Sequence, residues 1–254
     1  GRGAEPAGGA MSVGVLLVHA FPLDARMWDD QVGSLEAPVV APSLPGFGGT
    51  EPAPGGVMTM DVAATRCLGA LDGAGVDRAV VCGLSMGGYV AFELWRRARD
   101  RVAGLVLANT RAEADAPEAA ARRRALADRL RLEGNVLVDD PPPLLSDGAS
   151  EALRARVRAT IADQPAAAIA AAALGMAERP DSTPDLVSID VPTLVVTSDR
   201  DVLIPPDVTA AIAGAIRGAE LVTIADAGHL SNLERPEAFS RLLLDHATRC
   251  FAGR

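Results

Sequence analysis

No lysine occurs among the 254 residues, so all 24 basic side chains are arginines. Schiff-base catalysis, which needs a lysine amine, is thereby excluded. With abundant Ala, Gly and Pro alongside it, the absence reads as the coding bias of a GC-rich genome. Cysteine is nearly as scarce. Cys67, Cys82 and Cys250 are too few, and odd in number, for a disulfide framework in a chain of this size. Cys82 lies in an apolar run and reads as a small buried hydrophobe. A reducing, cytoplasmic setting is expected. Long apolar runs are missing too, so no membrane span is expected. The short apolar stretch 11–20 has no charged lead-in and no small-residue cleavage site after it. It reads as a buried strand rather than a signal segment. Positive charge is in deficit, with a net charge of -9, which argues against a nucleic-acid partner. Histidine is limited to His19, His229 and His246, which narrows the choice of any general base.

What is present is an apolar chain. Hydrophobic residues make up 49%, enough to bury a core in one large domain or two small ones. Residues 1–12 read as a disordered leader or tag remnant, with Met11 a candidate natural start. Short Val/Leu/Ile runs at 13–18, 38–41, 79–84, 102–108, 193–197 and 220–224 lack period-two alternation. That is how strands covered on both faces read. Helical patterns at 27–35, 60–72, 87–97, 208–216 and 236–251 lie between and after them, which argues for a doubly wound α/β domain. The core is expected at 13–110 and 186–254. Residues 111–185 break the rhythm, with helical runs at 117–133, 151–162 and 165–177 and a proline break at 141–143. They read as a helical insertion. Arg122, Arg123 and Arg124 invite an anion-binding role. The nine arginines from Arg111 to Arg158 are matched by nine acidic residues, however, and the expectation is a solvated face of mixed ion pairs. The alanine run 166–173 reads as close helix packing.

The segment Val80-Val81-Cys82-Gly83-Leu84-Ser85-Met86-Gly87-Gly88 carries the chemistry. An apolar strand runs into Gly-x-Ser-x-Gly-Gly, and a helical pattern follows. A nucleophile on so tight a turn brings its neighbours two before and two after too close for a Cβ. Gly83 and Gly87 meet that need, and Gly88 lets the helix pack closely. Ser85 then projects above the sheet edge at a helix N-terminus that favours negative charge. A serine hydroxyl needs a base. His246 lies within the last amphipathic helix. His229 lies just past a strand, where α/β sheets place function, and is the expected base. The base needs a carboxylate, and on position alone either Asp199 or Asp201, at the end of strand 193–197, reaches His229. The order Ser, Asp, His is that of nucleophile-elbow hydrolases.

With these marks the chain resembles the α/β-hydrolase superfamily, in its small capped serine esterase and enol-lactonase branch. The resemblance runs from about Val13 to the C-terminus. It rests on Val18-His19-Ala20-Phe21-Pro22, on Ala41-Pro42-Ser43-Leu44-Pro45-Gly46-Phe47-Gly48, on the Ser85 elbow, on the strand ending in Asp201, and on the Gly228-to-Pro236 run. It implies an α/β-hydrolase fold with a helical cap at 111–185. It selects Asp201, four residues before a proline, as the acid, and leaves Asp199 a loop role. It places the oxyanion hole at the backbone N–H groups of Phe21 and Met86, and makes His19 structural. The sequence departs from the family at Ala20, often Gly, which would restrain the oxyanion loop. It departs again at Ser43, often Asp, with a local hydrogen-bond change expected. It also departs in the missing N-terminal hairpin. The sheet should therefore have about six strands, with an uncovered edge that invites a homodimer or a mobile edge.

The expected function is two-step acyl transfer on a small, partly apolar ester or lactone, with Ser85, His229 and Asp201 as catalytic residues. No cofactor, metal, nucleic acid or membrane enters the scheme. Dehalogenase and epoxide hydrolase chemistry is disfavoured, because those relatives carry Asp at the elbow. A non-hydrolytic cyclase or lyase on the same scaffold is the alternative.

Overall fold

The computed structural model describes residues 11–252. Residues 1–10 of the expected leader lie outside that range. Ser12, at the leader's end, is fixed: its amide donates to Asp77 Oδ2 at 2.8 Å, and its carbonyl accepts from the amides of Asp77 and Arg78.

Six strands form one sheet: β1 (Val13–Val18), β2 (Val39–Val40), β3 (Arg78–Leu84), β4 (Val102–Ala108), β5 (Thr193–Ser198) and β6 (Glu220–Ile224). Their order is β2-β1-β3-β4-β5-β6, and every neighbouring pair is parallel. The four inner strands, β1, β3, β4 and β5, are buried almost throughout, as continuous aliphatic runs require. β2 holds only two residues. Pro38 before it has no N–H to donate and Pro42 soon ends it, which keeps this edge strand short.

Helices α1 (Asp29–Val32), α2 (Met60–Gly73), α3 (Met86–Arg97), α7 (Pro206–Ala215) and α9 (Pro236–Ala252) cover the sheet. α2 packs with α3, and α1 with α9. The Thr59 side chain caps α2 by accepting from the Val62 amide at 3.2 Å. The helix expected at 27–35 is instead a 3₁₀ turn, Ala25–Trp28, followed by the single turn α1. Asp24 caps the first piece, and Gly33 ends the second, where a helix former would be needed to continue. A single turn not foreseen, α8 (Ser231–Glu234), precedes α9.

Between β4 and β5 run α4 (Pro117–Glu133), α5 (Glu151–Ala162) and α6 (Ala166–Ala177). α4 and α6 pack together. Residues 168–173 of the alanine run are buried, so small side chains buy a close helix approach here. No described helix is long and apolar enough to cross a membrane. Cys67, Cys82 and Cys250 are free and buried, and burial pushes the Cys67 thiol up to about 12 and Cys250 up to about 11.

Because all strands are parallel, their carboxyl ends share one rim. Register sets Gly83 against both Val18 and Leu107, and Ser198 against Ile224. The residues that follow these strands therefore emerge side by side.

Candidate active site

Ser85 joins β3 to α3 with φ 57° and ψ -115°, a conformation that costs a non-glycine residue about 1–3 kcal/mol. The surroundings fix it. Its amide donates to Ala108 O at 2.9 Å, and Thr110 Oγ1 donates to its carbonyl at 2.8 Å. A Cβ on Gly83 would lie 2.2 Å from Gly87 O, and one on Gly87 would lie 2.1 Å from Val18 O. Both positions accept only glycine, for the reason expected from the motif.

His229 follows β6 and is buried. Its Nδ1 lies 2.8 Å from Asp201 Oδ2. Asp201 Oδ1 accepts from the amides of Leu203 and Ile204 at 2.9 and 3.0 Å, and Oδ2 accepts from Asn109 Nδ2 at 2.9 Å. Burial opposes ionisation of Asp201. The bond and charge of His229, the Ile204 amide and Asn109 outweigh it and hold the carboxyl below the usual carboxylate range. An ionised Asp201 fixes the proton on Nδ1 and leaves Nε2 as the acceptor. Asp199 is exposed and lies 3.9 Å from Arg200; it does not bond His229. The alternative left open on position alone thus resolves in favour of Asp201.

Ser85 and His229 line one cavity of about 310 Å³, together with Phe21, Tyr89, Leu203 and Ile204 from the core. That volume is at the small end of the ~300–1,000 Å³ usual for small-molecule sites. Among the described residues the Ser85 hydroxyl has no hydrogen-bond partner. Catalytic hydrogen bonds commonly tighten only when substrate binds. The amide of Met86 is the first of α3 and has no acceptor within the helix. Phe21 lies on the loop after β1, beside the elbow. His19 accepts from the Leu44 amide through Nε2 at 3.0 Å, and its Nδ1 donates to Ala20 O at 3.0 Å. Burial lowers its pKa to about 4, so it is a neutral tie between two loops, as the resemblance implied.

Residues 15–242 match the alpha/beta hydrolase family. The chain belongs to the alpha/beta hydrolase family. It is 32% identical over 244 residues to pimeloyl-[acyl-carrier protein] methyl ester esterase of Neisseria meningitidis serogroup B, covering 91% of each chain. Among solved structures it resembles a malate-bound thermophilic esterase from Thermogutta terrifontis, with TM-score 0.90 and 41% identity over 94% of this chain and 91% of that one. An enol-lactonase from Burkholderia xenovorans superposes with TM-score 0.84 and 30% identity, over 94% of this chain and 92% of that one.

Several residues that build this alpha/beta hydrolase site were not singled out from sequence. Asn109 follows β4 with φ 43°, a left-handed conformation that Asn tolerates. Its amide nitrogen donates to Ser198 Oγ and Asp201, and its oxygen accepts from Ser231 Oγ at 2.7 Å. Ser198 in turn donates to Gly228 O at 2.6 Å. Glu234 Oε1 accepts from the amides of Gly228 at 2.7 Å and Ser146 at 3.0 Å, and Oε2 accepts from Ser146 Oγ. The only sequence signal for Asn109 is its place as the first polar residue after an apolar parallel strand.

The arginine-rich segment also departs from expectation. Arg122 and Arg124 are exposed, as a solvated face requires. Arg111 and Arg123 instead line the Ser85 cavity with Asp115, Ala119, Leu126, Pro142, Leu144 and Met176. Asp115 is shared: its Oδ2 accepts from Arg123 Nε, and its Oδ1 accepts from the buried Arg179 at 2.7 Å. Matching charges in number along the sequence did not predict how they pair in space.

Proposed function

We propose that this hydrolase cleaves a carboxylic ester or lactone of a small, partly apolar substrate through an acyl-enzyme on Ser85. The observation that carries the reading is the buried Asp201–His229 contact at 2.8 Å, next to a strained serine in the same cavity. Relatives named as a methyl ester esterase and an enol-lactonase support the same chemistry.

His229 Nε2 takes the Ser85 proton as the hydroxyl attacks the carbonyl carbon. Asp201 holds the ring in its tautomer and stabilises the imidazolium. The amides of Met86 and Phe21 receive the developing oxyanion, each worth roughly 10²–10³-fold in rate. The imidazolium then protonates the leaving oxygen, and the alcohol departs. In a lactone that oxygen stays tethered to the acyl chain. Water, deprotonated by His229, attacks the acyl-enzyme and returns Ser85 free. The helical segment between β4 and β5 roofs the cavity through Ala119, Leu126, Leu144 and Met176, and serves as a cap that limits water.

A fluorophosphonate should label Ser85 stoichiometrically, and Ser85→Ala should lose both labelling and p-nitrophenyl acetate hydrolysis. Wild-type turnover by Ser85→Ala would end the proposal.

A further inference from the structure

The cavity wall facing Ser85 is richer in positive charge than hydrolysis of a neutral ester requires. Arg111 lines it and forms no ion pair or side-chain hydrogen bond with any described residue. Arg123 lines it too. Its Nε is committed to Asp115, and its terminal nitrogens have no partner among the described residues. Asp115 is also bonded to Arg179, which lies over the Tyr89 ring at 4.1 Å. Two guanidinium groups, Arg123 and Arg179, thus share the Asp115 carboxylate, and Arg111 lines the same cavity with no carboxylate of its own. This local excess sits in a chain of net charge -9, so the global balance does not produce it.

The rest of the wall is apolar: Ala119, Leu126, Leu144, Met176, Leu203 and Ile204. A charge beside such a surface loses hydration, and the loss is recovered when a counter-charge arrives with matched hydrogen bonds. Asp115 holds Arg123 in place while leaving the outer edge of its fork unused. Arg111 has a whole fork unused. A planar fork fits a carboxylate through two parallel N–H···O bonds. A phosphate dianion would bring one more negative charge and more acceptors than this largely apolar wall answers.

We infer that Arg111, supported by Arg123, forms a subsite for a carboxylate carried by the substrate. The preferred substrate is then a monoanionic ester or lactone, with the ionised group at one end and the scissile carbonyl at Ser85. This rests on the hydrolase reading above and narrows its substrate class. Arg111 would act as a specificity residue, and the reacting atoms remain those of Ser85 and His229.

The test compares anionic esters with neutral counterparts, on both sides of the scissile bond. Mono-p-nitrophenyl glutarate is set against p-nitrophenyl pentanoate, and 4-carboxyphenyl butyrate against 4-methylphenyl butyrate. The wild-type protein should favour at least one anionic ester over its partner. Arg111→Gln should lower that selectivity ratio roughly 10- to 100-fold, mainly through KM, as expected for losing a hydrogen-bonded charge pair. An unchanged ratio in Arg111→Gln, or a wild-type preference for both neutral esters, would overturn the subsite. Calorimetric titration of glutarate gives a readout independent of turnover: binding by the wild type and its loss in Arg111→Gln supports the subsite, and equal binding by both refutes it. Absence of turnover on all four esters, with glutarate still bound through Arg111, would retire the hydrolase reading and leave the subsite standing.

Discussion

Asn109 and Asp201 are joined by a hydrogen bond of 2.9 Å from Nδ2 to Oδ2, on the same carboxylate oxygen that accepts from His229. Asn109→Ala would leave that oxygen with one donor fewer and the Ser231 hydroxyl without its acceptor. We expect kcat to fall about 10-fold or more, with little change in KM. Alanine at φ 43° adds a backbone cost of about 1–2 kcal/mol. Asn109→Gly avoids that cost and still lacks the amide. It should match the alanine variant in kcat and exceed it in urea midpoint. Full activity in both variants would remove Asn109 from the positioning of Asp201.

The two aspartates after β5 should separate cleanly. Asp201→Asn keeps the shape and loses the charge that holds His229, so kcat should drop about 10²–10⁴-fold. Asp199, exposed and apart from the ring, should tolerate Asn with near-normal rates. Steady-state kinetics on one activated ester decides it, and a reversed ranking would exchange their roles.

Gly87→Ala tests the elbow. Its new Cβ would lie 2.1 Å from the Val18 carbonyl oxygen, and neither backbone can yield without moving β1 or α3. The cost should reach about 1–3 kcal/mol or more, seen as a lower urea midpoint together with lost activity. An alanine variant as stable as the parent would contradict the packing described.

Stability should also respond to pH through His19. Its folded pKa of about 4 lies below the ordinary value of 6.5 because burial excludes charge. Between these values the unfolded chain binds a proton that the folded chain refuses. Stability is therefore complete above pH 6.5 and declines as pH falls toward 4, by about 3 kcal/mol at most from this group. His19→Gln should flatten that part of the profile when denaturation midpoints are measured from pH 7 to 4. A parallel decline in both proteins would assign the effect to other groups.

Glu234→Ala would strip acceptors from the amides of Ser146 and Gly228 and from the Ser146 hydroxyl. Each buried donor left unpaired costs about 1–3 kcal/mol, and the loop carrying His229 loosens. Both the denaturation midpoint and kcat should fall. Glu234→Gln, which keeps an acceptor oxygen, should restore much of each. Wild-type values in the alanine variant would show that the carboxylate is idle.

Much of this molecule was legible in its sequence, for reasons that are local. Buried parallel strands announce themselves as unbroken aliphatic runs, so all six were visible, β2 longer than it proves to be. The Ser85 elbow was visible because steric demands write glycine at fixed offsets. Asp201, His229 and the structural His19 follow strand ends, which are recognisable. What was hidden is pairing across long separations. Asn109 reaches a partner 92 residues away and Ser146 one 88 residues away, with no local pattern to mark either. Arg111 and Arg123 looked balanced by neighbouring acids, because counting along a chain ignores the direction in which each side chain points.

One carboxylate, that of Glu234, ties the proline-rich stretch at 141–146 to the loop that presents His229. The same anchor thus serves as container and as aligner. Widening the chamber at that corner would throw the imidazole out of true. Room for bulkier molecules has to be gained along α4 and α6, where Ala119, Leu126 and Met176 line the cavity and make no part of the Glu234 anchor.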